Sequence, residues 1–120
     1  MTFVNLIGRV YSFEAKKSES GVNYTDLRVS VMRPYKNYQG HYETDYFRVM
    51  LFDALNKKAQ DYLYKGMGIA LKGRLETSHW TDEQEKNRSS INIICERLIF
   101  LPKENDDLSA LNDFDLNSSD

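Results

Sequence analysis

Aromatic rings and positive side chains alternate along two predicted strands and along the loop that precedes the first of them. The side chains that share this pattern are Arg33, Tyr35, Lys36, Tyr38, Tyr42, Tyr46, Arg48, Phe52, Lys72, Arg74 and Trp80. Unpaired bases stack on flat rings, and phosphates bind to cations placed at intervals. We take the two strands as neighbours, so the pattern predicts one surface suited to single-stranded nucleic acid.

Each of these side chains also has an ordinary structural explanation. Tyr46 and Phe52 could pack as core beneath a loop, and Trp80 stands at a strand end, where its exposure is ambiguous. Lys72 and Arg74 could belong to a solvated face, because charges two residues apart on a strand are common there. Only the shared parity of rings and cations on the two strands favours the binding interpretation.

The sequence offers little to support catalysis. His41 and His79 are the only two histidines, and neither has a cysteine or carboxylate at the spacing of a metal site. No glycine-rich phosphate-binding loop joins a strand to a helix. We therefore expect neither a catalytic residue, a metal nor a cofactor.

Hydrophobic periodicity predicts the elements that must position these side chains. Strands are predicted at 3–11, 24–33, 44–52, 67–80 and 88–101, and a helix at 53–65. In the helix, Leu55, Ala59 and Leu63 fall on one face, with Asp53 as N-cap and Gly66 as the stop signal. Three strands, one helix and two strands form the order of an all-β, five-stranded Greek-key barrel, the OB-fold.

Charge divides the chain into two parts. Residues 1–101 carry 15 Lys and Arg against 12 Asp and Glu, whereas residues 102–120 carry one Lys against six acids. This predicts a barrel domain at 1–101 that binds an anionic ligand, followed by a disordered acidic tail at 102–120. A soluble domain with a solvated terminus would show the same asymmetry.

Cysteine content and hydropathy bear on the cellular compartment. Cys95 is the only cysteine and lies in an apolar run, so it is expected to be a buried hydrophobic residue. The sequence shows neither a signal peptide nor an apolar run long enough to span a membrane. A cytoplasmic location without membrane contact is the expectation.

Four stretches of the sequence together resemble bacterial and phage single-stranded DNA-binding proteins. They are Asn5-Leu6-Ile7-Gly8-Arg9-Val10, the run from Tyr42 to Phe52, the run from Ala59 to Gly66, and the run from Lys72 to Asp82. The resemblance covers residues 3–101 and implies an OB-fold that binds and protects single-stranded DNA, without sequence selectivity, during replication, recombination or repair. It also implies a homotetramer.

The resemblance also implies roles for individual residues. Tyr46, Phe52 and Trp80 match positions whose rings stack on DNA, and Tyr35 matches an aromatic of the loop after the second strand. Four further positions match sites that often carry basic residues, namely Arg48, Lys65, Lys72 and Arg74.

The end of the chain departs from the family pattern, in which an acidic run is followed by a hydrophobic tip that recruits replication and repair proteins. Here the acidic segment includes Asp113, Phe114, Asp115 and Leu116. This segment could be a displaced version of the tip, or it could be inert. An alternative function, built on the same fold, is an OB-fold adaptor of a replication or primosome assembly, in which the outer face mediates assembly and nucleic-acid binding is secondary. An enzyme is the least favoured class.

Overall fold

The chain forms one closed β-barrel with a single helix, seen in a computed structural model that describes residues 1–102. The predicted tail lies outside these residues except for Pro102. The elements are β1 (Val4–Lys17), β2 (Asn23–Lys36), β3 (Tyr42–Phe52), α1 (Asp53–Tyr62), β4 (Gly68–Thr81) and β5 (Asn87–Phe100). The predicted order of five strands with one helix between β3 and β4 is confirmed.

The barrel closes in the strand order β1-β2-β3-β5-β4. All neighbouring strands are antiparallel except β3 and β5, which run parallel through Val49↔Ile93 and Met50↔Ile94. β5 therefore lies between β3 and β4, and the prediction that these two strands are neighbours is wrong. Rings and cations on β3 and β4 do not share one uninterrupted face.

Strand alternation fills the barrel as predicted. The fully buried side chains include Leu27, Val29, Val49, Leu51, Ile69 and Leu71. Cys95 is buried too, and burial raises the pKa of its thiol to about 12. Cys95 therefore packs as a hydrophobic residue, as expected.

A β-bulge in β1 explains why this strand runs further than predicted. The register with β2 shifts between Val10 and Ser12, so Tyr11 is an extra residue in the ladder. The shift reverses the alternation: Ser12 joins Tyr11 on the outer face, and Phe13 packs against the core. A period-of-two pattern breaks at this point, and the prediction therefore stopped at residue 11.

The predicted ends of β2 and α1 are wrong as well, and so is the predicted N-cap of α1. The strand β2 continues past Pro34 to Lys36, because the register shift between Met32 and Lys36 leaves Pro34 without a ladder partner to which it would have to donate. The helix begins after an uncapped Phe52, with Asp53 as its first residue at φ 53°, and it ends before Leu63 rather than at residue 65. No helix in the described part of the chain is long and apolar enough to cross a bilayer.

Two hairpins extend beyond the barrel wall. β1 pairs with β4 only as far as Gly73, and β3 pairs with β5 only at Ile93 and Ile94, so residues 76–81 and 87–92 pair only with each other. We call these two segments the β4–β5 arm. The β2–β3 arm, residues 33–45, is a second such hairpin and contains the loop aromatics.

Candidate nucleic-acid interface

The three rings predicted to stack lie on the outside of the barrel, at different heights and on two elements. Tyr46 is 58% exposed on β3 and Trp80 is 49% exposed on the β4–β5 arm. Phe52, at the end of β3, is half-buried with its ring 5.3 Å from that of Tyr24. Tyr46 and Trp80 therefore expose enough ring surface to receive a base, and Phe52 offers a smaller area.

Arg48 is anchored on the outer face of β3 by a buried carboxylate. Asp26, only 3% exposed, accepts a 2.9 Å hydrogen bond from Arg48 Nε and a 2.7 Å contact from Lys16 Nζ. Burial alone would raise the pKa of Asp26, but hydrogen bonds from Lys16 and Arg48 outweigh it and hold that pKa below its ordinary value. Asp26 thus keeps its charge and fixes the position of Arg48.

Arg33 is bound by carboxylates across the β2–β3 arm. Its Nε and Nη2 donate to both oxygens of Asp45 at 2.9 and 2.8 Å, and its Nη1 donates to Glu43. The hydrogen bond from Arg33 lowers the pKa of Asp45. All three donor nitrogens of the guanidinium are occupied, so the geometry favours a structural role over the predicted phosphate contact.

The β2–β3 arm presents three exposed tyrosines above this ion pair. Tyr35, Tyr38 and Tyr42 are 61%, 95% and 53% exposed, and Lys36 Nζ lies 5.7 Å from the centroid of the Tyr42 ring. The tip is held by Asn37, whose Oδ1 accepts from the backbone N–H groups of residues 39 and 41. A turn fixed in this way presents the tyrosine rings on an ordered hairpin.

The cations of β4 occupy separate surroundings. Arg74 donates to Glu76 at 2.6 Å and lies 3.5 Å from Glu96. Lys72 lies between Asn5 of β1 and Arg97 of β5 in the sheet, with its Nζ 5.2 Å from the centroid of the Phe3 ring. Lys65 is exposed in the turn between α1 and β4. The structure therefore spreads these three predicted residues around the barrel.

Trp80 has a basic neighbour on its own arm. It pairs across the arm with Arg88, whose Nε donates to Asp82 at 2.8 Å. Backbone N–H groups of residues 84 and 86 also donate to Asp82, and these bonds with that of Arg88 lower the pKa of this carboxyl. Asp82 orders the turn and holds a guanidinium beside the indole.

Two exposed residues beside Tyr46 were not predicted as site residues. The ring of Tyr11 meets that of Tyr46 at a centroid distance of 4.9 Å and an angle of 66°, and Arg28 lies directly opposite Arg48 on the outer face of β2. Tyr11 is the last residue of its predicted strand, and Arg28 lies within the predicted strand 24–33. The pairing of β2 with β3 as a hairpin was the available signal for Arg28.

Within residues 1–102, no three His, Cys, Asp or Glu side chains converge on a point where a metal ion could bind. The outer face offers rings and guanidinium groups instead. This arrangement can stack planar groups and bind anions.

We predict that Asp26→Asn lowers the free energy of unfolding at pH 7 by about 1–2 kcal/mol, because two cations lose their shared carboxylate. A carboxyl with a lowered pKa stabilises the fold above its unfolded pKa and loses that contribution as the pH falls through the folded pKa. The difference between wild type and variant, measured by urea unfolding, should therefore shrink as the pH falls below about 4. A difference independent of pH would show that the charge of Asp26 is not what stabilises the fold.

We predict that Arg33→Gln and Asp45→Asn each weaken binding of a single-stranded oligonucleotide by roughly two- to fivefold, with no further loss in the double variant. Either change breaks the same ion pair and loosens the same arm. Glu83→Gln, which removes an acid from the turn between β4 and β5, is the control for the loss of negative charge in Asp45→Asn. Tighter binding by Asp45→Asn would mean that releasing Arg33 creates a phosphate contact, and would contradict the structural role.

Comparisons with known proteins agree on one family. The sequence model of the single-strand binding protein family matches residues 1–101. Single-stranded DNA-binding protein 1 of Staphylococcus aureus strain MSSA476 is 29% identical over 104 residues, covering 85% of this chain and 67% of that protein. Single-stranded DNA-binding protein 2 of strain COL is 28% identical over 102 residues, covering 83% and 73%.

Solved structures share the fold. The Plasmodium falciparum SSB in complex with ssDNA superposes with a TM-score of 0.68 at 22% identity, over 85% of this chain and 96% of that one. A deletion mutant of the single-stranded DNA binding protein from Thermus aquaticus gives 0.69 at 25% identity, over 86% of this chain and 51% of that one. With a closed five-stranded barrel, exposed outer rings and a family match across residues 1–101, the chain belongs to the single-strand binding protein family.

Proposed function

We propose that this protein binds single-stranded DNA without sequence selectivity and protects it during replication, recombination or repair. The observation that carries the proposal is the exposure of Tyr46 and Trp80 on the outer face of a barrel of this family. Stacking contributes about 1–3 kcal/mol per base and tolerates any base, because every base has a π-face. The protein does so by binding alone, without catalysis.

In binding the DNA strand, the rings contribute more affinity than the cations do. The stacking surfaces are the rings of Tyr35, Tyr46, Phe52 and Trp80. Tyr38 and Tyr42 lie on the same arm as Tyr35. Phosphate contacts come from Lys36, Arg48, Lys65, Lys72 and Arg74. Since Arg48 and Arg74 already bind carboxylates, the net positive charge available to the phosphates is small, and stacking supplies most of the affinity.

A duplex fits this surface poorly. Its bases are stacked on each other, so their faces cannot reach Tyr46 or Trp80, and only phosphate contacts remain. The balance between rings and cations therefore favours unpaired strands.

We predict that oligo-dT quenches the fluorescence of Trp80, the only tryptophan, and that a duplex of equal length leaves it nearly unchanged. Tyr46→Leu should weaken binding by about 1–3 kcal/mol while Trp80 still reports it. Tyr62→Leu, on an exposed helical tyrosine, is the matched control and should bind as the wild type does. Unchanged emission at saturating oligo-dT would contradict stacking at Trp80, and weak binding beside a tight protein partner would favour the adaptor function.

The assembly and the tail extend the proposal. Four copies would bring four outer faces together, and the acidic segment containing Asp113, Phe114, Asp115 and Leu116 would recruit replication and repair proteins in the cytoplasm. Light scattering should give four times the mass of one chain. Deleting residues 103–120 should change neither the number of chains in the assembly nor the affinity for oligo-dT. A monomer or dimer would contradict the tetramer. Loss of DNA binding would contradict a tail that serves only to bind partner proteins.

A further inference from the structure

The bulge in β1 concentrates side chains at one place on the outer face. Tyr11 and Ser12 together face Arg28 across the ladder, because the register passes from Val10↔Val29 to Ser12↔Arg28. Bulges of this kind re-aim side chains and are common beside functional sites. The bulge thereby brings Tyr11 close to Arg28 on β2.

Arg28 and Arg48 stand directly opposite each other on β2 and β3. Like charges in this position destabilise a sheet. Asp26 compensates Arg48, but its carboxylate is already shared between Arg48 and Lys16. No ion pair from within residues 1–102 reaches Arg28, which is exposed. A second guanidinium at this position adds nothing to the stability of the fold, whereas a bound anion would contact two guanidinium groups.

The neighbouring rings supply the second half of a nucleotide site. Tyr11 and Tyr46 are 57% and 58% exposed, although their rings touch. Ser30, next to Arg28 along the outer face of β2, pairs with Tyr46 and with Arg9. Two open rings therefore adjoin two guanidinium groups within three strands, β1, β2 and β3.

We propose that Tyr11 and Arg28, with Tyr46 and Arg48, form one nucleotide subsite of the bound strand. Arg28 and Arg48 bind a phosphate, and the paired rings of Tyr11 and Tyr46 receive the adjoining base. This inference rests on the proposed function and carries the DNA path from β3 across β2 to β1. It adds two binding residues to those that the sequence predicted.

Arg28→Gln tests the phosphate contact. Affinity for oligo-dT should fall roughly two- to fivefold, as for one exposed ion pair, and the slope of log affinity against log salt should become shallower by about 0.7 for each phosphate released. Lys57→Gln, which removes a cation from the exposed side of α1, should leave both unchanged. The melting temperature of Arg28→Gln should equal or exceed that of the wild type, because the repulsion from Arg48 is removed.

Two substitutions of Tyr11, one that keeps the aromatic ring and one that removes it, test the base contact. Tyr11→Phe keeps the π-face and should bind oligo-dT as the wild type does. Tyr11→Leu keeps apolar volume without the ring and should bind at least fivefold more weakly, with the salt slope unchanged. Equal affinity of the leucine and phenylalanine variants would overturn the base contact.

The outcomes separate this inference from the proposed function. If the wild type binds oligo-dT but Arg28→Gln keeps the wild-type salt slope, the subsite is wrong and strand binding stands. If Arg28→Gln melts lower or fails to fold, the premise that Arg48 repels Arg28 without compensation is wrong, and the inference is overturned. Only a wild type that does not bind oligo-dT refutes the proposed function.

Discussion

Closure of the barrel is the constraint on which the other features depend. Once five strands close on themselves, every second side chain enters a shared core, and binding chemistry is confined to the outer face and the arms. Closure also brings backbones very near each other: a Cβ on Gly8 would lie 2.2 Å from the carbonyl oxygen of Ser30, and one on Gly73 would lie 2.8 Å from that of Ile94. Glycine at these two positions therefore permits the geometry that separates core from surface.

Local pattern predicted much of this fold, and long-range pairing supplied the rest. Alternation predicted the strands, because a strand pattern depends on a few consecutive residues. The parallel pairing of β3 with β5 depends on residues more than 40 positions apart, such as Val49 and Ile93, so no local signal places β5 beside β3. The bulge at Tyr11 was missed because it is a break in the very alternation that identifies a strand.

The candidate site divides in the same way. Tyr46 and Trp80 were found because they share their strand parity with cations, a pattern that a few consecutive residues reveal. The partners of the arginines were not found, because a salt bridge such as that of Arg33 with Asp45 requires the hairpin register. With that register known, Arg33 is seen to stabilise the β2–β3 arm through its ion pair, rather than to contact a phosphate as predicted.

The hydrogen bonds of the arginines rank their availability to a phosphate. Arg33 gives Asp45 and Glu43 all three of its donor nitrogens, whereas Arg48 donates to Asp26 through Nε alone. A guanidinium held by a buried carboxylate is fixed in direction, and this preorganisation reduces the entropy lost on binding. Arg28 has no ion pair within residues 1–102 and lies opposite Arg48, so repulsion between the two guanidinium groups favours an anion between them. The outer face thus combines a cation fixed by a buried carboxylate, a cation without an ion pair within residues 1–102 and a pair of exposed rings, which is the combination that the proposed nucleotide subsite requires.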